Sequence, residues 1–512
     1  MRQSKRFMVT ASLMAAMFMA AVEATIVNAA MPTVVGTLGG ISLYSWVFTA
    51  FMLTNTVTVP IYGKLADLYG RKKVFMVAIL LFIGGSALCG LSNSMKQLVL
   101  FRGIQGLGAG GVLPVAMTIV GDIFPFELRA KVQGWFSSVW GLAAIVGPFI
   151  GGWTVDHFSW RWIFWFNLPL GLIIILVIAF FLTEHSKREQ KKVDYVGAFL
   201  FVLAILGLLS FTQVAGGNEG ILSFIWMLPV ISLLLFLLFF LWERKVADPF
   251  IPLNLFRNPM IASSNLTAFL SGMGMFGAIS FVPLFVQGVL GHSPTLAGLA
   301  ITPQVLGWSI ASVIAGRWLL KKGYRPPILT GVFMITLAAV SFTFMSIHTP
   351  YPAVLGGMFL LGLGLGLSMT SYIIAVQNAV KSSQRGAATS SQMFSRSLGG
   401  AFGVTLLGTV MSFQLKDQIQ AYITQHKQEL SPQIIKQLEK AQGITNPEEL
   451  AKFPAQVAKE MQEFLTHALN SAFITATFIS LTALMAAFLF VPKGSARSLS
   501  VEESEKKERK VT

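Results

Sequence analysis

The chain has 512 residues, of which only 12% are charged and 54% hydrophobic, with 47 glycines and 42 phenylalanines. A soluble surface needs about 25% charged residues, so a string of soluble domains is excluded and a polytopic membrane protein is expected. A single cysteine, Cys89, excludes intrachain disulfides and cysteine-based zinc or iron–sulfur centres, and six scattered histidines form no metal pair at helical spacing.

A bilayer-spanning helix takes about 20 mostly apolar residues. Fourteen such stretches follow in order: 8–31, 43–62, 74–93, 97–120, 132–153, 162–182, 195–215, 221–242, 260–287, 296–319, 327–347, 352–376, 387–412 and 467–491. The first imitates a secretory signal, with Arg2, Lys5 and Arg6 ahead of an apolar run. That run continues to Met31, too long for a signal core, and reads as an uncleaved helix 1. Segments 184–194 and 243–259 are charged and suggest six helices, an inserted pair, then six more. The polar stretch 413–466 reads as a solvated extracellular helical hairpin, with a substrate- or partner-binding cap as the alternative. The tail 493–512 is highly charged and reads as disordered.

The net charge is +16, which in a soluble protein would point to nucleic acid. Most of the basic residues fall instead in alternate loops, among them Lys64, Arg71, Lys72, Lys73, Lys321 and Lys322, whereas the short loops of opposite parity carry only Lys96 and Arg161. Cytoplasmic loops collect Lys and Arg, so both termini are expected in the cytoplasm, with no nucleic-acid partner. The expected division is a six-helix bundle over 1–190, linker helices over 191–258, a second bundle over 259–492 carrying the 413–466 loop, and a cytoplasmic tail over 493–512.

Charge within the bilayer is costly and marks function by default. One acid lies well inside a span, Glu23 in helix 1; two arginines do so, Arg102 in helix 4 and Arg396 near the start of helix 13. A carboxylate in an apolar cavity suits proton uptake and release, or the attraction of a cation. The alternative for Glu23 is a fixed salt bridge, although no basic residue lies within a turn or two of it on helix 1. Asn28, about a turn and a half further on, and Gln105, near Arg102, are candidate polar contacts to substrate or to neighbouring helices. Between helices 2 and 3, Gly63, Asp67, Gly70 and Arg71 to Lys73 combine turn-forming glycines with an acid and clustered bases, a pattern suited to a charge-pair latch at helix ends.

This loop resembles the signature loop of the major facilitator superfamily. Leu98, Arg102, Gln105, Gly106 and Gly108 resemble its helix 4 motif, and Gly141 with Gly147, Pro148, Gly151 and Gly152 resembles its helix 5 antiporter motif. The stretches from Glu23 to Pro32 and from Ser159 to Pro169 are similar to the fourteen-helix drug–proton antiporter branch, as is the segment from Pro283 to Pro294. The likeness covers residues 7–491. It implies an all-α fold of two six-helix bundles plus an inserted pair, with Glu23 and Arg102 in proton coupling and Asp67 and Arg71 in the latch. It also implies that the helix 5 motif around Gly147 and Pro148 favours export. Two departures stand out: Glu replaces the commoner Asp at position 23, and the equivalent loop of the second half, Gly316 to Gly323, has Leu320 in place of the acid.

Gly106 to Gly111 and Gly362 to Gly366 mimic nucleotide-binding glycines, but neither follows a strand and both sit inside apolar runs. Helix packing is the expected role. No cofactor, no resident metal and no enzyme active site are expected. The expected function is proton-coupled export of amphipathic, cationic drugs by a monomer in the cytoplasmic membrane. Export of one metabolite, such as an amino acid or siderophore, is the alternative, and a non-transporting membrane sensor is a more distant one.

Overall fold

The computed structural model describes residues 3–38, 43–183, 194–215, 227–246, 249, 253–292, 294–381, 384–426, 434–435, 438 and 453–492. Within them the chain is helical, with no strand. The N-terminal half holds α1 (Gln3–Leu38), α2 (Tyr44–Tyr69), α3 (Arg71–Gly90), α4 (Met95–Ile123), α5 (Phe126–His157), the short α6 (Trp162–Trp165) and α7 (Asn167–Phe181). Two further helices follow, α8 (Tyr195–Ala215) and α9 (Met227–Glu243). The C-terminal half holds α10 (Pro259–Gly288), the short α11 (Pro294–Leu299), α12 (Thr302–Lys322), α13 (Arg325–Thr343), α14 (Tyr351–Asn378), α15 (Arg385–Gln425) and α16 (Ala455–Phe490). With α6–α7 and α11–α12 each read as one span, these match the fourteen expected stretches.

Ten of the helices are long and apolar enough to cross a membrane. The shorter α9 turns Leu233, Leu234, Leu237 and Leu238 outward, each more than half exposed. On a protein without a bilayer such a face would be a liability; here it is a lipid-facing surface. Local chemistry sets the helix ends. Ser94 Oγ accepts the Gln97 amide at the start of α4, and Asn258 caps α10. Gly70 (φ 94°) and Gly323 (φ 80°) reverse the chain between α2 and α3 and between α12 and α13. A side chain resists that backbone conformation, and its recurrence is a trace of the repeat between the halves even though Leu320 has displaced the acid.

In the N-terminal half α4 packs on α2 and α3, and α1 on α5; in the C-terminal half α14 packs on α12 and α13, and α10 on α15. The halves meet through α5 with α12 and through α2 with α15. The inserted helices α8 and α9 pack on each other, and α8 also reaches α2 and α15, where Phe201 meets Phe394 at 5.2 Å between ring centroids. Lys64 Nζ ties the connecting segment down by donating to the Pro249 carbonyl at 2.7 Å.

The stretch 413–466 departs from expectation at both ends. α15 continues as helix to Gln425 and α16 begins at Ala455, so the flanking spans extend well into it. Leu415, Ile419, Val457 and Met461 are buried in the C-terminal core, and Tyr422 packs edge-on to Phe464 at 5.7 Å. Polar average composition hid an apolar seam that makes these arms part of the bundle. Most of 427–452 lies outside the described residues, as do 184–193 and the tail 493–512.

Candidate functional site

Four helices of the N-terminal half converge on Glu23. Arg102 of α4 donates from Nη1 to Glu23 Oε1 at 2.6 Å, and Asn167 of α7 donates from Nδ2 to Glu23 Oε2 at 2.6 Å. Each carboxylate oxygen thus has its own donor. Arg102 Nη1 also reaches Gln105 Oε1 at 2.8 Å, and its Nε reaches the Val47 carbonyl at 3.3 Å. The guanidinium carbon lies 4.2 Å from the Phe51 ring centroid. Behind these groups Ser86 of α3 accepts from Asn167 at 2.9 Å and from Gln105 Nε2 at 3.1 Å, and donates to the Phe164 carbonyl at 2.8 Å. Glu23 is 1% exposed and Arg102 2%.

An ion pair taken out of water needs further hydrogen bonds to offset its desolvation, and this cluster supplies them. Its arrangement is also chemically two-sided. When a proton arrives on Glu23 the Coulomb attraction to Arg102 disappears. The arginine then still has an amide oxygen, a backbone carbonyl and an aromatic face, so it is not left bare.

A second polar cluster lies at the opposite ends of α3 and α4. Asp67 of α2 accepts the backbone amides of Gly386 at 3.0 Å and Ala387 at 2.8 Å, at the first turn of α15, together with Arg71 Nη2 at 2.9 Å. Arg71 Nε lies 3.0 Å from Asp122 of α4, and Arg385 Nη1 lies 3.1 Å from the other oxygen of Asp122. An anion at a helix N-terminus meets unpaired amides and the positive end of the dipole. Burial pushes the Asp67 carboxyl up to about 7, against the opposing pull of Arg71 and of the two amides.

The C-terminal half makes a related contact with largely neutral groups. Asn378, at the end of α14, accepts Arg129 Nη1 of α5 at 2.7 Å and donates to the Tyr324 hydroxyl at 2.9 Å. No acid stands at Leu320, and the amide of Asn378 instead bridges Arg129 of α5 and Tyr324 at the α12–α13 turn. All of these bonds between halves lie at the Asp67 end, as do the close approaches of Gly63 to Ser390 and of Gly121 to Gln377, so the structure is shut at that end.

Of the residues singled out from sequence, Glu23, Arg102 and Gln105 come together in one cluster, and Gly63, Asp67, Gly70 and Arg71 in the other. Gln105 is fully buried within the N-terminal half, where it hydrogen-bonds between helices. In the helix 5 motif Gly147 and Gly151 are buried on a continuous α5. Asn28, Pro148 and Gly152 are placed on α1 and α5 by their helical backbone alone. Sequence reasoning left Ser86, Asp122, Asn167, Asn378 and Arg385 without roles. Asn167 had a visible signal, a lone carboxamide within an apolar segment; Asp122 and Arg385 stand at helix ends, where a charge carries no signal of its own.

Comparison with known proteins places this architecture. The profile of the Major Facilitator Superfamily matches residues 13–404, and the chain belongs to that family: it is a multi-pass membrane protein of a transporter class. It is 36% identical to the multidrug transporter protein MdtP of Bacillus subtilis (strain 168), over 99% of this chain and 97% of that one. It is 32% identical to multidrug resistance protein 3 of the same organism, over 99% and 98%. The structure of the proton:xylose symporter XylE superposes with a TM-score of 0.63 at 12% identity, over 99% of this chain and all of that one; that likeness concerns the fold alone.

Proposed function

We propose that the chain is a proton-coupled exporter of amphipathic, positively charged drugs in the cytoplasmic membrane, with both termini on the cytoplasmic side. The pairing of Glu23 with Arg102 and Asn167 is the observation that carries this reading. A proton and the Arg102 pairing are alternatives at one carboxylate, so protonation redistributes the contacts between α1, α4 and α7. A drug cation in the same field favours the deprotonated state, and mutual exclusion of proton and drug is a coupling free energy. The Asp67 cluster holds the cytoplasmic end shut while the opposite end exchanges with the outside. The two relatives named for multidrug transport and resistance support the substrate class.

The test is dye efflux in inverted vesicles with an imposed pH gradient. Glu23→Gln is expected to insert normally and to lose uphill efflux. Undiminished uphill efflux by that variant would overturn the assignment. Competition among structurally unrelated compounds is expected; saturation by a single metabolite would replace the multidrug reading by a specific one.

A further inference from the structure

The charged clusters above leave one intramembrane ion unaccounted for. Arg396 lies on α15 about 16 Å along the helix from its first residue, at 1.5 Å per residue, close to the middle of a bilayer core about 30 Å thick. Its side chain makes no hydrogen bond or ion pair with any described residue; the guanidinium carbon lies 5.8 Å from the ring centroid of Trp308 of α12, and the Arg396 backbone packs on Gly272 of α10. Both side chains keep partial exposure. Glu23, the buried acid of the opposite half, has both oxygens occupied.

Neighbouring turns define the direction in which Arg396 points. Phe394, Leu398 and Ala401 pack on the N-terminal core. Gly399 and Gly403 press on the α10 backbone at Phe269 and Met273, and Ser395 donates to Asn265 of α10 at 2.8 Å. Arg396 sits on the side of α15 away from the N-terminal core, its backbone against Gly272 of α10, and its guanidinium reaches across to α12 at Trp308.

Two further groups border the same helices. Gln392, one turn before Arg396, is fully buried with no donor on its Oε1, and Gln304, one turn before Trp308, is buried with the same deficit. A cation without a counter-ion and two amide oxygens without donors are costly in an apolar interior, and each is the complement of something a ligand can bring.

We propose that Arg396 and Trp308 form a substrate subsite that accepts the carboxylate of an aromatic amphipathic molecule. The guanidinium fork matches a carboxylate bidentately, and the indole offers an apolar face to the attached ring. This rests on the export reading and sharpens it: the transported class extends to zwitterions, positively charged amphipaths that also carry an acid.

The experiment compares rhodamine B, which has a free carboxylate, with rhodamine B ethyl ester, the same xanthene cation without it. Binding is read by fluorescence anisotropy on the purified full-length protein in detergent, and transport in proteoliposomes with an imposed pH gradient. The wild type is expected to bind the acid about tenfold more tightly than the ester. Arg396→Gln is expected to erase that preference by weakening the acid about tenfold while leaving the ester within about twofold; Arg396→Lys retains part of the preference. If Arg396→Gln is not monodisperse, Arg396→Lys replaces it, with a partial loss confined to the acid expected. Equal binding of the two dyes by the wild type, or equal losses for both in the variant, overturns the subsite. Arg396-dependent binding of the acid without pH-driven transport of either dye leaves the subsite standing and overturns the export reading.

Discussion

Asn167 gives the sharpest quantitative handle on the Glu23 cluster. Its side chain donates to Glu23 Oε2 at 2.6 Å and to Ser86 Oγ at 2.9 Å. Leucine has the same branched skeleton and number of heavy atoms, so Asn167→Leu deletes the donor while keeping the side chain's shape, and comparing maximum rates at each plateau separates any packing cost. The ionised carboxylate then loses the bond on one of its two oxygens, whereas the protonated acid loses far less. A hydrogen bond to a charged group contributes about 1.5–3 kcal/mol, and about 1.4 kcal/mol corresponds to one pH unit. The pH of half-maximal transport is therefore expected to move toward alkali by about one to two units. The assay is initial efflux rate against pH in proteoliposomes, with the maximum rate compared at each plateau. A profile that stays in place, with activity falling only in proportion to folded protein, would refute the idea that Asn167 holds the charge.

Other perturbations follow from the same geometry. Arg102→Met strands the Glu23 carboxylate and is expected to destabilise the protein by about 3–5 kcal/mol, with Glu23→Gln in the same chain restoring most of it; thermal unfolding in detergent measures both. Asp67 is raised to about 7 in the closed state and returns to the ordinary carboxylate range once water reaches it, so the closed state binds the proton more tightly. Closure should strengthen as pH falls from about 7 toward 4, read as slower maleimide labelling of Ser390→Cys in a Cys89→Ala background, and Asp67→Asn should flatten that dependence. Gly63→Leu would push into Ser390 and the Gly386 carbonyl, and labelling of the same reporter should speed up on the order of tenfold.

The helices were legible in the sequence because a membrane demands long apolar runs, and each expected stretch has its helix. Glu23 was legible for the same reason: against so apolar a background an acid deep inside a span stands out. Its partner was not. Glu23 has no base nearby on α1, and the fixed salt bridge looked weak on that ground, yet Arg102 arrives from α4, a contact set by helix packing that local spacing does not encode. The described arms of 413–466 are helical, as a hairpin requires, but not fully solvated, because charged residues lower average hydropathy while Leu415, Ile419, Val457 and Met461 still form a buried stripe. The contact among Tyr324, Asn378 and Arg129 was invisible because it is built from hydrogen bonds between residues far apart in the chain rather than from a charged motif.

The glycines that mimic a nucleotide loop explain how the two clusters are joined. Gly106 lies against Phe51 and Thr54 of α2, Gly110 against Asn55 and Thr58 of α2, and Gly108 against Ala78 and Phe82 of α3, each without room for a Cβ. Backbone thus meets backbone along α4 on two sides, an arrangement that small residues make possible and that resists sliding. The three charged groups of the second cluster then have one origin each: Asp67 on α2, Arg71 on α3 and Asp122 on α4. Arg102 sits on that same α4, about 30 Å from Asp122 along the axis at 1.5 Å per residue. In the proposed cycle, a shift of α4 on release of Arg102 from Glu23 would carry α2 and α3 with it, and all three ion-bearing ends would move together against the first turn of α15. Pro114 lies between the two clusters on α4 and removes one backbone hydrogen bond there, so Pro114→Ala should stiffen α4 and slow the pH-driven efflux cycle, read as initial efflux rate in proteoliposomes.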